Sequence, residues 1–314
     1  CASQTGESAG LGPPVPTESA YEKKKEKEAA AAKTLGTSPA PAAASESVDA
    51  ATAAKGPSGF FDADVKRQLA VVFSRMQRPL VLRLALDGTP LSDELESFIT
   101  ELAGLSGGKL SVAKADPADE NAQGRAEFDP AGVLPEARPE VRICTRDDDG
   151  TLHPTGLAFH GVPSGHEFNS FVLALYNAAG PGQKVDDDTA SRTERISDPV
   201  NVMLLVSLPC TMCPTTVLSS QRIAAENPKV RAEAYDLAHF PELKDRYNVM
   251  SVPCIVITGA NGDQKVEFGK KSVPRMLDLI GAGWTSAASF LAAGLERGGR
   301  FVPRPRIPNA DMTL

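Results

Sequence analysis

The chain has 314 residues, of which 41% are hydrophobic, and a formal net charge of −7. This length and composition allow one or two folded domains, and the acidic balance argues against nucleic acid as a partner. No run of about eighteen apolar residues occurs, so we predict no transmembrane segment. The five cysteines are scattered and odd in number, unlike those of a small disulfide-rich domain.

Residues 1–59 contain Tyr21 as their one aromatic residue and no Ile, Phe, Trp or Met. Because Ala, Ser, Pro, Lys and Glu dominate, this segment cannot bury a core, and we predict a disordered linker. The chain begins with Cys1 rather than Met, which leaves two explanations open. Either the chain is a fragment that lacks an upstream domain, which we favour, or Cys1 is the acylated first residue of a mature lipoprotein.

Residues 60–184 show alternating helix and strand patterns. An amphipathic helix opens the region, with Val65, Leu69 and Phe73 on its apolar stripe. The patterns then predict, in chain order, a strand at 80–86, a helix at 91–105, a strand at 109–115, a strand at 140–144, a short strand near 157–160 and a helix at 165–177. Alternation of this kind is typical of an α/β fold.

Residues 185–284 repeat this order around a pair of cysteines. A hydrophobic strand at 202–208 leads into Cys210-Thr211-Met212-Cys213. The patterns then predict a helix from Cys210 to about residue 227, a strand at 230–236, a helix at 241–247, strands at 254–258 and 264–269, and a helix at 273–281. Residues 285–314, with their spaced prolines, indicate an extended or disordered tail.

The position of Cys210 and Cys213 at a helix start suits disulfide exchange. Free N–H groups and the helix dipole stabilise a thiolate on Cys210, and Cys213 is close enough to resolve a mixed disulfide. The alternative is that the two cysteines are half of a zinc site, which would need two further ligands. His239 and Cys254 are the nearest candidates, but neither belongs to a second closely spaced ligand pair. A purely structural disulfide is a weaker explanation because it closes a very short loop.

This order of elements resembles a thioredoxin fold, in which a cis-proline faces the CxxC and leaves backbone groups free for a partner's extended chain. Pro253 occupies that position. In the first region Pro139 precedes a strand in the same way, and residues 87–90 stand where a CxxC would. We therefore predict an α/β protein of two fused thioredoxin-like folds with central mixed sheets flanked by helices. The fold at 60–184 lacks a CxxC, and the thioredoxin/glutaredoxin-like fold at 185–284 has an active one.

Both regions together resemble the N-terminal domain of the bacterial alkyl hydroperoxide reductase flavoprotein subunit, over about residues 64–283. The most specific pieces are residues 165–175, which begin Gly165-His166-Glu167-Phe168, residues 210–214 and residues 248–253. The resemblance implies a thiol-disulfide oxidoreductase that relays electrons. A thioredoxin-reductase-like flavoprotein, fused or separate, reduces its disulfide, and its dithiol then reduces a peroxiredoxin. By the resemblance, the chain is expected to be one component of an NAD(P)H-dependent peroxide reductase system.

No G-x-G-x-x-G motif follows a predicted strand, so we expect no cofactor in this chain. FAD and NAD(P)H are expected on a partner or a missing domain. The redox-active group of this chain is then its own disulfide, and we expect the protein in the cytoplasm.

The exchange chemistry makes Cys210 the nucleophile and Cys213 the buried resolving thiol, with Pro253 as the cis-proline of the site. By the resemblance, Glu167 matches a glutamate that reaches from the inactive fold to the CxxC and acts there as a buried carboxylate. From the residues alone, Glu167 is equally a first-turn acid that complements the helix dipole, and the two interpretations are compatible. His153, His160 and His239 receive no role.

The chain departs from the family pattern in two places. Thr211 and Met212 lie inside the motif, where the family often has a histidine, so Cys210 has less cationic support and we expect a more reducing couple. Cys254 directly follows Pro253, where a small residue is usual. It is either a buried, inert strand cysteine, which we favour, or a third thiol near the disulfide. Cys144 is expected in the core of the first fold.

Two other functions stay open. One is a lipid-anchored extracytoplasmic thiol-disulfide oxidoreductase, in which Cys1 is acylated. The other is a non-catalytic binding module whose cysteines hold zinc.

Overall fold

The computed structural model describes residues 59–115, 128 and 132–281. The predicted linker, apart from Gly59, and the predicted tail lie outside the described residues. The helices are α1 (Ala63–Arg75), α2 (Pro90–Gly104), α3 (Glu167–Ala179), α4 (Asp187–Glu194), α5 (Cys213–Glu226), α6 (Pro241–Arg246) and α7 (Val273–Gly281). The strands are β1 (Leu80–Ala85), β2 (Leu110–Lys114), β3 (Glu140–Arg146), β4 (Leu152–His160), β5 (Val200–Val206), β6 (Val230–Asp236), β7 (Cys254–Thr258) and β8 (Gln264–Phe268).

The strands of the described residues form one sheet in the order β2-β1-β3-β4-β6-β5-β7-β8. In each half the second strand pairs in parallel with the first, and the third and fourth strands add antiparallel. Both regions therefore have the predicted thioredoxin-like topology. The sequence suggested a sheet for each fold, but the parallel pairing of β4 with β6 joins the two sheets into one.

Local sequence signals set several helix starts. Asp62 caps α1, because its side chain accepts hydrogen bonds from the backbone N–H groups of Asp64 and Val65 at 2.9 and 2.8 Å. The helix α4 was not predicted, because its sequence is too polar to show an apolar stripe. Its signal is Asp186, which accepts from the N–H of Thr189 at 2.9 Å and so caps the first turn.

Strand β5 ends at Val206, two residues before the predicted end, and also begins two residues earlier. Beyond Val206 the carbonyl of Ser207 accepts from the N–H of Cys210 at 2.8 Å, and the carbonyl of Leu208 accepts from the N–H of His166 at 3.1 Å. The predicted boundary was wrong because hydropathy continues through Leu208 although the chain has already turned out of the sheet.

Two hydrophobic cores cover the two faces of the sheet in the second fold. On the α3 and α5 face lie Val202 and Leu204 of β5. On the opposite face, under α6, lie Met203 and Leu205. Strand β5 is buried on both faces, which explains its nearly continuous apolar sequence.

A buried ionic cluster links the two folds on the face opposite α3 and α5. Arg142 of β3 donates to Glu233 of β6 at 2.7 Å and to Glu140 at 3.0 Å. The hydroxyl of Tyr235 donates to Glu233 at 3.0 Å, and the ring of His160 stacks on Tyr235 at 3.8 Å. Burial raises the pKa of Glu233, but Arg142, His160 and Arg231 together outweigh burial and hold that pKa well below its ordinary value.

Replacing Arg142 with Met should lower the free energy of unfolding by about 3 to 5 kcal/mol, because two buried carboxylates lose their counter-charge. Chemical denaturation at neutral pH measures the change. Arg67→Met is the matched control: Arg67 pairs with Asp64 on the exposed side of α1, and its loss should change stability little. A loss below about 1 kcal/mol for Arg142→Met would show that the cluster does not stabilise the joined folds.

Candidate active site

Three loops meet at one edge of the sheet. Strands β4, β6 and β5 are parallel neighbours, so their carboxyl ends lie side by side. The loop 161–166 leads from β4 to α3, the loop 237–240 leads from β6 to α6, and the loop 207–212 leads from β5 to α5. In open α/β sheets the carboxyl ends of the strands are where binding sites form.

Cys210 and Cys213 form a disulfide in the loop that follows β5, with their Cα atoms 5.6 Å apart. Cys213 is the first residue of α5 and is fully buried, whereas Cys210 is half-buried. The helix therefore starts at Cys213, not at Cys210 as predicted. Even so, the free N–H of Cys213 points at the Cys210 sulfur at 3.1 Å, which favours negative charge on Cys210.

The bond between Val252 and Pro253 is cis, as expected. Because Leu205 of β5 pairs with Cys254 of β7, Pro253 lies beside the end of β5 and so at the same edge as the disulfide. Two methionines in the adjoining segments are exposed, Met212 by 52% and Met250 by 76%. The disulfide and the cis-proline thus lie at a surface with exposed apolar side chains.

Glu167 comes to this edge from the fold that lacks a CxxC. It is the first residue of α3, which packs against α5, and it is fully buried. The loop before it contacts the loop before the disulfide. Gly165 has a φ of 58°, and a Cβ there would lie 2.9 Å from the carbonyl oxygen of Leu208, so this approach requires glycine.

The carboxyl group of Glu167 is in an environment that disfavours its charge. Burial, the largest cause, and the negative charge of Asp236 together raise its pKa to about 7, although the hydroxyl of Ser170, which donates to Oε2, opposes the rise. The other oxygen, Oε1, has no hydrogen-bond donor among the described residues. Glu167 does lie in the first turn of a helix, but an acid that only complements the helix dipole does not need to be buried. The raised pKa of Glu167 suits a group that accepts protons near neutral pH.

Comparison with known proteins agrees with this arrangement. A family model described as a thioredoxin domain matches residues 200–267. The crystal structure of the NTD_N/C domain of alkyl hydroperoxide reductase AhpF from Enterococcus faecalis is 33% identical, with a TM-score of 0.60, and the match covers 70% of this chain and 99% of that one. The chain belongs to the family of this AhpF domain.

Other relatives are much longer than the matched region. The alkyl hydroperoxide reductase AhpF of Pseudomonas aeruginosa is 30% identical over 222 residues, which are 71% of this chain and 37% of that protein. A protein named NADH dehydrogenase from Bacillus subtilis is 27% identical over 229 residues, which are 73% of this chain and 39% of that protein. This chain thus spans under two fifths of the length of either relative.

The enzyme class predicted from the sequence is confirmed: the chain is a thiol-disulfide oxidoreductase, with a redox module for electron transfer at Cys210 and Cys213. Among the described residues, no helix has both the length and the apolar character needed to cross a bilayer.

The remaining cysteines of the described residues lie apart from the disulfide. Cys254 is fully buried and packs with Leu205, on the face of the sheet opposite Cys213. Burial raises the pKa of both Cys254 and Cys144 to about 11, so both thiols stay protonated and unreactive. In the part of the chain that the structure describes, no three His, Cys, Asp or Glu side chains are grouped as metal ligands. The structure thus favours the inert interpretation of Cys254 and does not bring it to the CxxC as a zinc ligand.

Sequence reasoning missed Asp236 and His239, which stand at the same edge of the sheet. Asp236 is the last residue of β6 and is 1% exposed, and burial raises its pKa despite a hydrogen bond from the N–H of Ala238. The signal was an acidic residue at the carboxyl end of a predicted strand, which marks a site position in this fold class.

The raised pKa of Glu167 makes stability depend on pH. A proton binds Glu167 more tightly in the folded state, with a pKa of about 7 against an ordinary 4.5, so stability should fall as pH rises through that range. The loss amounts to about 3 kcal/mol for this group. Glu167→Gln removes the ionisation, so urea unfolding of the oxidised protein should show the variant gaining on the wild type from about pH 5 to about pH 8. A difference between the two proteins that does not change with pH would contradict the buried carboxylate.

Proposed function

We propose that this chain relays electrons from a thioredoxin-reductase-like flavoprotein to a peroxiredoxin disulfide through Cys210 and Cys213. The observation that supports this most is the disulfide at the start of α5, which packs against α3, whose first residue is the buried Glu167 of the inactive fold, in a chain whose family is named for alkyl hydroperoxide reductase. A protein that reduces peroxides through a partner needs a module of this kind, with one half-buried and one fully buried cysteine at an accessible edge.

The transfer proceeds by two thiolate attacks. The Cys210 thiolate attacks one sulfur of the partner's disulfide, forms a mixed disulfide and releases the first partner thiolate. Cys213 gives its proton to the Glu167 carboxylate and attacks the Cys210 sulfur, which releases the second partner thiolate. Two electrons have then left the chain, and its own disulfide has formed. The flavoprotein reverses these steps and returns two electrons.

The cofactors are proposed to lie outside this chain. FAD and NAD(P)H belong to the flavoprotein, fused or separate, because no dinucleotide-binding glycine motif follows a strand in this sequence. We place the relay in the cytoplasm, where NAD(P)H is available to drive it. Pro253 is proposed to present the backbone next to it to the partner's extended segment.

The relay is tested by coupling NAD(P)H oxidation to peroxide turnover with a bacterial two-cysteine peroxiredoxin and a thioredoxin-reductase-type flavoprotein. Cys210→Ser should abolish turnover, because no mixed disulfide can form. Cys213→Ser should also stop turnover but accumulate a covalent adduct with the peroxiredoxin, visible on a non-reducing gel. No turnover with any such pair, despite a reducible Cys210–Cys213 disulfide, would reject the relay and favour an extracytoplasmic exchange partner.

The exposed methionines should contribute to partner binding. Met250→Ser removes an apolar side chain beside Pro253, so we expect KM for the peroxiredoxin to rise about fivefold while kcat changes little, corresponding to about 1 kcal/mol of lost burial. Val71→Ser is the matched control, because Val71 is 49% exposed on α1 of the other fold. Equal effects of the two substitutions would show that Met250 does not contact the partner.

A further inference from the structure

The carboxyl end of β6 places Asp236 between the two halves of the site. Strand β6 lies between β4, which leads to Glu167, and β5, which leads to the cysteines. Asp236 pairs in register with Val206, and the N–H of Leu237 donates to the carbonyl of Val206 at 3.0 Å. Alternate residues of β6, including Ala232 and Ala234, pack into the core under α3 and α5, so the Asp236 side chain faces the same side as Glu167.

The two carboxyl groups form an electrostatically linked pair. Both are buried, and the Asp236 charge acts directly on Glu167. Each has one oxygen that accepts a hydrogen bond, from Ser170 for Glu167 and from the Ala238 N–H for Asp236. The other two oxygens, Glu167 Oε1 and Asp236 Oδ2, have no donor among the described residues. Ionising both of two neighbouring buried carboxyl groups is unfavourable, so the pair tends to keep one proton.

His239 connects this pair to solvent. Its Nε2 lies 3.7 Å from Asp236 Oδ2, and its side chain is 38% exposed. Gly161, in the loop that leads to α3, lies against both residues: a Cβ there would be 3.5 Å from the His239 ring and 3.6 Å from the Asp236 Cβ. Asp236 is therefore covered by the chain on the Gly161 side, and the half-exposed imidazole of His239 lies on its Oδ2 side.

We propose that Asp236 and His239 are positioning residues that carry the proton of the resolving cysteine from Glu167 to solvent. This inference rests on the proposed function of the disulfide and extends it. In the oxidation step Cys213 passes its proton to Glu167, and Glu167 passes it to Asp236. Asp236 then passes the proton to His239, which releases it to water, where it is available to the departing thiolate. In the reduction step the proton moves inward along the same path. Among the described residues, Cys210 and His166 are further titratable groups at this edge, and His166 is exposed beside Glu167.

The path can be tested without a peroxiredoxin or a flavoprotein. The whole chain in its reduced form, with Cys1→Ser throughout so that Cys210 and Cys213 are the reacting thiols, is mixed with excess 5,5′-dithiobis(2-nitrobenzoate). The first thionitrobenzoate released reports attack by Cys210, and the second reports attack by Cys213. His239→Ala should slow the second release about tenfold near neutral pH and leave the first unchanged, and added imidazole should restore the rate.

The controls separate proton transfer from structure. His153→Ala removes an exposed histidine that pairs with Asp147 at 2.8 Å in the other fold, and it should change neither phase. Asp236→Asn removes a carrier of the proton, so it should also slow the second phase. Because Glu167 loses a negative neighbour, the substitution should shift the pH dependence of that phase to lower pH, and it should cause no such shift when Glu167→Gln is already present. An unchanged second phase in His239→Ala, or a slowed one that imidazole does not restore, would overturn the path. A protein that shows imidazole rescue but reduces no peroxiredoxin would keep the path and lose the relay.

Discussion

Parallel backbone pairing between β4 and β6, from Leu157 opposite Ala232 to His160 opposite Tyr235, joins two folds into one sheet. A parallel pairing aligns carboxyl ends, so the loop after β4 comes to the same edge as the loops after β6 and β5. That alignment is what brings Glu167 of the cysteine-free fold to the cysteines of the other. Antiparallel pairing at this junction would have placed Glu167 at the far edge, and the first fold would contribute nothing to the site.

The pKa values of the buried carboxyl groups are shifted in opposite directions on the two faces of this junction. On one face Arg142 neutralises Glu140 and Glu233, so the pKa values of both carboxyl groups stay low despite burial. On the other face Glu167 and Asp236 have raised pKa values, because burial disfavours their charges more than their hydrogen bonds favour them. The first arrangement holds the folds together, and the second supplies a carboxyl group, that of Glu167, whose pKa of about 7 suits proton exchange near neutral pH. A single sheet thus separates a structural ionic cluster from a redox site.

The same separation by faces keeps a third thiol away from the exchange chemistry. Cys254 follows Pro253 directly, yet the strand alternation sends its side chain to the face opposite Cys213. A cysteine one position later along β7, in place of Ile255, would lie on the same face as Cys213. Proximity in sequence therefore says little about proximity in the site, because adjacent strand residues belong to different cores.

The sequence by itself determined the order and type of most elements, the pair Cys210 and Cys213, and the proline at 253, because these depend on local hydropathy, spacing and turn chemistry. It also indicated Glu167, although only through a family resemblance. It misplaced the end of β5 and missed α4, since neither the turn after Val206 nor a polar helix has a hydrophobic signature. Only the tertiary structure decided that the two sheets are one, that Glu167 is buried beside Asp236, and that His239 lies next to that pair. Those facts depend on which strands become neighbours, and a pairing between strands as distant in the chain as β4 and β6 leaves no mark in local sequence patterns.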